Sequence, residues 1–140
     1  MINNINSFNR VNLWFGEDTF CQINQLFILT MLEERNYLGE VNLIVLDSKT
    51  HLKIIDQKRI ILKRYKQIYK ALIHEKEIHT ENLYLDHAIQ LYYDYKNPKG
   101  VLQCYAKENK LLATHAKLDA LMTIGEPYRL TDLQAKKIIE

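Results

Sequence analysis

The stretch Val11–Leu46, VNLWFGEDTFCQINQLFILTMLEERNYLGEVNLIVL, decides the fold. Val11–Phe15 is a short apolar, β-prone run that Gly16 stops, and it reads as a strand. Asp18 and Thr19 follow with side-chain oxygens suited to a helix N-cap, and Thr19 with Gln22 has the spacing of a capping box. Phe20, Ile23, Leu26, Phe27 and Met31 then recur at helical spacing. They predict a helix continuing to about Asn36, with Gly39 placed to end it. Val41–Leu46 is a second strand, apolar at nearly every position, as expected of a strand covered on both faces. Strand, helix and strand in so short a span make a βαβ unit with parallel strands.

Outward from this unit the chain reads as helical. From about Gln57 to Ile73, the residues Ile61, Leu62, Tyr65, Ile68, Tyr69 and Leu72 share one helical face. Leu85, Ala88, Ile89 and Tyr92 mark another helix, ended by Asn97-Pro98. Pro98 suits the first turn of the next helix with Asn97 as its cap, carrying Val101, Leu102 and Tyr105. A further helix runs from about Leu111 to Ile124 and is closed by Gly125 and Pro127. Thr131 with Gln134 forms a second capping-box spacing that opens a last helix. The expected class is α/β: an N-terminal βαβ unit (about 11–47) with a small parallel sheet of two or three strands. About five C-terminal helices (about 57–140) cover it, and Leu52–Ile55 is the candidate third strand. No internal repeat, low-complexity tract or linker interrupts the chain, so the reading is one domain over 1–140.

The chain has 140 residues, 47% of them hydrophobic, with four glycines and two prolines, the composition of a folded domain. A chain of this length buries enough surface to need no disulfide or metal. Cys21 and Cys104 stand alone, with no CxxC pairing, as in a reducing compartment. No signal peptide is evident and no apolar run approaches a membrane span, so the expected location is cytoplasmic, with no membrane partner. Richness in Ile, Asn, Lys and Tyr points weakly to an AT-rich bacterial genome. The net charge of +2 is unevenly spread. Residues 51–70 carry seven Lys/Arg against one acid, whereas residues 1–50 carry three against six. A local basic segment is therefore real, and a globally basic protein is not.

The leading candidate site is the turn after the first strand, Gly16-Glu17-Asp18-Thr19, with Gln22 behind it and Asp47 at the end of the second strand. Ligands of open α/β sheets gather at the carboxyl ends of strands, where the next helix presents free N–H groups. The glycines of a dinucleotide fingerprint are absent, and Glu17 and Asp18 repel a phosphate unless a cation intervenes. Glu17, Asp18 and Asp47 at one sheet edge suit Mg²⁺ or acid–base work. The plain alternative is that Asp18 or Thr19 caps the helix and the rest is local packing.

Arg59, Lys63, Lys66 and Lys70 fall at i, i+4, i+7 and i+11, a stripe down one helix that can meet phosphates or an acidic partner. It is equally the solvated face of any amphipathic helix. The segment around Gly125–Arg129 invites a helix-turn-helix reading, but the last helix offers only Gln134, Lys136 and Lys137, and helical-hairpin packing is preferred. The five histidines form no metal-ligand spacing, and no GxSxG or P-loop motif occurs. Tyr84, Tyr92, Tyr93 and Tyr95 line a groove or, more simply, seal a core rim.

Trp14-Phe15-Gly16-Glu17-Asp18, followed by Phe20-Cys21-Gln22 and Asn24, resembles the opening of a bacterial protein family of unknown function. Tyr65–Leu72 (YKQIYKAL), Leu91–Pro98 (LYYDYKNP) and Leu130–Gln134 (LTDLQ) extend the likeness along most of the chain. The resemblance implies a strand, a Gly-acid turn and a helix, followed by a helical half. Some members of that family carry the label of transcriptional regulator. It implies no established activity, substrate or cofactor.

The functional expectation is a non-enzymatic regulatory or protein-interaction domain, acting through a partner protein or through self-association. Its rival is a small-ligand or nucleotide-binding domain, with or without a metal, centred on Glu17, Asp18, Gln22 and Asp47. Nucleic-acid binding through the basic stripe comes third.

Overall fold

The computed structural model describes residues 2–47 and 49–140. A 3-10 segment (Ile2–Ser7) leads into β1 (Arg10–Gly16), α1 (Thr19–Glu34), β2 (Glu40–Leu46) and β3 (Ile54–Ile60). The helices α2 (Tyr65–Ile73), α3 (Leu83–Lys96), α4 (Val101–Glu108), α5 (Thr114–Ile124) and α6 (Asp132–Ile139) follow. The fold is α/β, a small N-terminal sheet followed by five helices.

β1 and β2 pair in parallel from Arg10↔Glu40 to Gly16↔Leu46, as a βαβ unit requires. The third strand departs from expectation twice. It is antiparallel to β2, so the sheet is mixed, and it spans Ile54–Ile60 instead of Leu52–Ile55. The expected helix from Gln57 therefore begins only at Tyr65. The apolar residues from Ile60 onward fit a helical period, but β2 offers an unpaired ladder to whatever follows it within hairpin reach. That ladder outweighs local periodicity. The strand ends in a tight turn in which the Lys63 amide donates to the Ile61 carbonyl at 2.8 Å. Arg64 then takes a left-handed conformation (φ 75°) before α2 begins.

The sheet is also covered on one face only. Val41 on β2, with Val11 and Leu13 on β1, packs against Leu29 and Leu32 of α1. Strand alternation turns Trp14 and Ile44, which are register partners, to the opposite face with Gln57 of β3. There Ile44 is 3% exposed, while Trp14 remains 57% exposed. The apolar run of β2 thus fills one face and half of the other, and does not signal two helical layers.

α1 is the spine of the molecule. Leu29 and Leu32 face the sheet, and Leu26 meets Ile68, Leu72, Leu85 and Ile89 of α2 and α3. Phe20 reaches the third cluster, built from Leu102, Leu121, Tyr128, Leu130, Ala135 and Ile138 of the C-terminal helices. Burying each leucine completely contributes roughly 1.5–3 kcal/mol.

Helix ends refine several local expectations. Asp18, not Thr19, caps α1, and Gln22 does not return a bond to complete a capping box. Asn36 (φ 51°) supplies the left-handed residue that closes α1, and the Tyr37 amide donates to the Leu32 carbonyl. Gly39 instead stands where a Cβ would collide with the Tyr37 ring. α4 is capped by Gly100, not by Asn97, whose side chain accepts from the Lys99 amide. α5 starts at Thr114, leaving Leu111 exposed in the preceding link. The box of Thr131 and Gln134 forms as the spacing predicts.

Candidate functional site

The strand-1 turn keeps its five residues together, and most of their polar capacity is spent on the chain itself. The Gly16 carbonyl accepts from Gln22 Nε2 at 2.7 Å. The Glu17 amide continues the sheet by donating to the Leu46 carbonyl at 3.1 Å. Asp18 accepts from the Cys21 amide at 2.9 Å, so its carboxylate already occupies the positive end of α1. A Cβ on Gly16 would lie 2.7 Å from Asp18 Oδ2, so only glycine leaves that carboxylate room to fold back over the strand end. Thr19 and Gln22 are buried. The Thr19 hydroxyl and Gln22 Oε1 find no hydrogen-bond partner among the described residues.

Asp47 follows Leu46 at the same sheet edge, but its carboxylate is engaged within its own turn. Its carboxylate accepts from the Thr50 amide (2.9 Å) and the Thr50 hydroxyl (2.8 Å), inside the β2–β3 turn. Those bonds hold its pKa below the ordinary carboxylate value. No group of three or more His, Cys, Asp or Glu side chains that could hold a metal ion occurs among the described residues.

What completes the turn comes from far along the chain. Glu17 and Asp18 form one wall of a surface cleft of about 390 Å³, and Leu83, Tyr84 and His87 of α3 supply the second. Glu126 and Arg129 close it from the link between α5 and α6. Arg129 sits in a left-handed conformation (φ 55°), and its guanidinium pairs with Glu126 at 3.0 Å. Nothing in the spacing of these residues announced the cleft, because a gap of more than sixty positions carries no periodic signal. Cys21, whose amide bonds Asp18, carries a thiol held in its protonated form at neutral pH. Burial first, then the neighbouring Asp18 carboxylate, pushes its thiol up to about 11.

The basic stripe is dispersed. Arg59 lies on β3, Lys63 in the turn after it, and only Lys66 and Lys70 lie on α2. Arg59 and Lys63 instead line a different cleft, together with Lys58 and Arg64. The segment around Gly125 packs as a helical hairpin. A 3-10 turn (Glu126–Tyr128) joins α5 to α6, and Leu121, Ala135 and Ile138 meet in one cluster. Three of the four tyrosines seal the core rim. Tyr92 and Tyr95 stand edge-on to Phe20, and the Tyr93 hydroxyl donates to the Lys76 carbonyl at 2.9 Å. Tyr84 alone lines the cleft at the strand-1 turn. No helix is long and apolar enough to cross a membrane among the described residues.

Comparison with known proteins finds no matching family model, no matching curated protein and no matching solved structure.

Proposed function

We propose that the protein is a non-enzymatic interaction domain that receives an extended strand of a partner polypeptide on the free edge of β1. The observation that carries this reading is the contrast between the two sheet edges. β3 bears Asp56, Lys58 and Arg59 and meets β2 with a register irregularity, the devices that keep a foreign strand away. β1 (RVNLWFG) has one charged residue, at its start, and no proline. The Glu17 amide and the Asn9 carbonyl both bond toward β2. Alternation therefore turns the backbone groups of Arg10, Asn12 and Trp14 toward the open side. Strand addition there supplies main-chain bonds, and Trp14, the single tryptophan, supplies an exposed aromatic anchor.

The family resemblance of the Trp14–Asn24 segment belongs to the same proposal. Its members' regulatory label suits a domain that binds rather than turns over. The test is hydrogen exchange at the Arg10, Asn12 and Trp14 amides with a captured partner, in the wild type and in Trp14→Lys. Protection of those amides in the wild type, lost in the variant, is expected. A partner that binds while all three amides exchange freely overturns the reading.

A second reading rests on the convergence of three distant segments at the Glu17–Asp18 cleft, which suits a small polar ligand. Mg²⁺ or small polar compounds without a phosphate that raise the melting temperature should lose that effect in both His87→Ala and Arg129→Ala. A shift that survives both variants removes this reading.

A further inference from the structure

Four cationic residues that the helical stripe could not explain meet elsewhere. Lys58 and Arg59 lie near the end of β3, Lys63 closes the turn that follows, and Arg64 precedes α2. All four border a cleft of about 350 Å³, whose opposite wall is the Thr80–Asn82 segment before α3, although strand alternation turns Arg59 to the face opposite Lys58, where it lies beside Glu40. Glu81 is the single carboxylate on that lining among the described residues. Lys58 is 3.7 Å from Asp56, whereas neither Lys63 nor Arg64 enters an ion pair among the described residues.

The backbone holds these cations together. The Ile61–Lys63 turn shortens the path, and the left-handed Arg64 reverses it within one residue. Glu33 of α1 clamps the arrangement by accepting from the Arg64 amide (3.2 Å) and the Lys66 amide (2.8 Å). That carboxylate takes the Arg64 and Lys66 amides at the start of α2, which leaves the cationic side chains as the main anion-holding groups of the cleft. Arg64 is a left-handed non-glycine residue held in place by a clamp from another helix, a cost that the surrounding structure must offset.

The rest of the lining is apolar. Ile68 and Leu85 are buried at its base, and Ile61 stands at its rim with 81% of its surface exposed. From Lys63 and Arg64, adjacent cations without an ion pair among the described residues, beside an apolar floor in a volume near the small end of ligand sites, we infer that this cleft binds a nucleotide-sized phosphorylated molecule. The phosphate meets Lys63 and Arg64, and the body of the molecule rests on Ile61. A nucleic-acid strand is the poorer occupant. It needs a cationic track, and here the charge gathers at one point while Lys66 and Lys70 follow α2.

The experiment is calorimetric titration of the intact chain with ADP, inorganic pyrophosphate and a single-stranded oligonucleotide of about 12 nucleotides. ADP is expected to bind, with pyrophosphate about tenfold weaker because it lacks the apolar body. Arg64→Gly should weaken ADP by at least about tenfold while the melting temperature holds or rises, because glycine relaxes the left-handed backbone. Lys70→Ala should change nothing. Absence of ADP binding at millimolar concentration overturns the proposal, as does unchanged affinity in Arg64→Gly or equal affinity for ADP and pyrophosphate. Oligonucleotide binding that Lys70→Ala and Arg64→Gly weaken alike overturns it in favour of a nucleic-acid track.

Discussion

Gln22 and Gln25 lie three positions apart on α1, both fully buried, yet they stand differently toward the chain. Gln22 donates to the Gly16 carbonyl, whereas neither amide atom of Gln25 finds a partner among the described residues. A buried polar group without a partner costs about 1–3 kcal/mol, and an apolar replacement of similar shape removes that cost. Gln25→Met should therefore stabilise the protein by about 1 kcal/mol, read as a rise in urea midpoint at unchanged slope. Gln22→Met removes the orphaned Oε1 but strands the Gly16 carbonyl, so it should bring no such gain. Cys21 offers a second check at this scale. With its thiol pushed up to about 11, on the order of 0.1% is thiolate at about pH 8. Maleimide labelling of Cys21 in a Cys104→Ser variant should thus be slow at that pH and rise about tenfold per pH unit up to the pKa. Asp18 and Thr19 as potential caps were legible from residue type alone. Which of them caps was not, because both side chains sit within reach of the same amides until the strand fixes the entry angle.

At the scale of elements, the links between helices decide more than the helices. The 3-10 turn between α5 and α6 is tied to α3 by a hydrogen bond from the Tyr128 hydroxyl to the Asp94 carboxylate. Burial first, then that carboxylate, raises the phenol's pKa above its ordinary value. The folded state therefore favours protonated Tyr128. Its contribution is complete below about pH 10, the unfolded value, and is lost as the pH rises toward the folded one. Wild-type stability should fall above about pH 10 with a slope that Tyr128→Phe reduces by one proton's worth, measured by urea unfolding across that range. Tyr65, Tyr93 and Tyr95 are raised as well, so the variant keeps the remainder of the slope. The helical period was readable for α1 and α3, whose apolar residues recur over several turns. It misled at Gln57–Arg64, where strand and helix place Ile60 and Tyr65 equally well and only pairing with β2 separates them.

Across the whole molecule, α1 is the member shared by all three apolar clusters, and Phe20 is its contact with the C-terminal one. The ring is packed edge-on by Tyr92 and Tyr95 of α3, with centroids 6.4 and 5.2 Å away. Phe20→Ala should cost about 3 kcal/mol. Its signature should be unequal, with amide protection falling in α4, α5 and α6 before it falls in β2, measured by native-state hydrogen exchange. Equal loss in both regions would show that the C-terminal cluster does not rest on this contact.

By itself the sequence determined the parallel β1–α1–β2 unit, the helical C-terminal half and the capping box of α6. Each of these depends on residues within a few turns or strand lengths of one another, where spacing and local hydrogen bonding settle the conformation. The tertiary structure alone decided the antiparallel third strand, the uncovered face that exposes Trp14, and the composition of both clefts. The β3 ladder is stabilised by an edge that exists only once β2 is in place. His87 and Arg129 reach Glu17, and Arg64 reaches the Thr80–Asn82 wall, only after the packing around α1 has brought distant segments together.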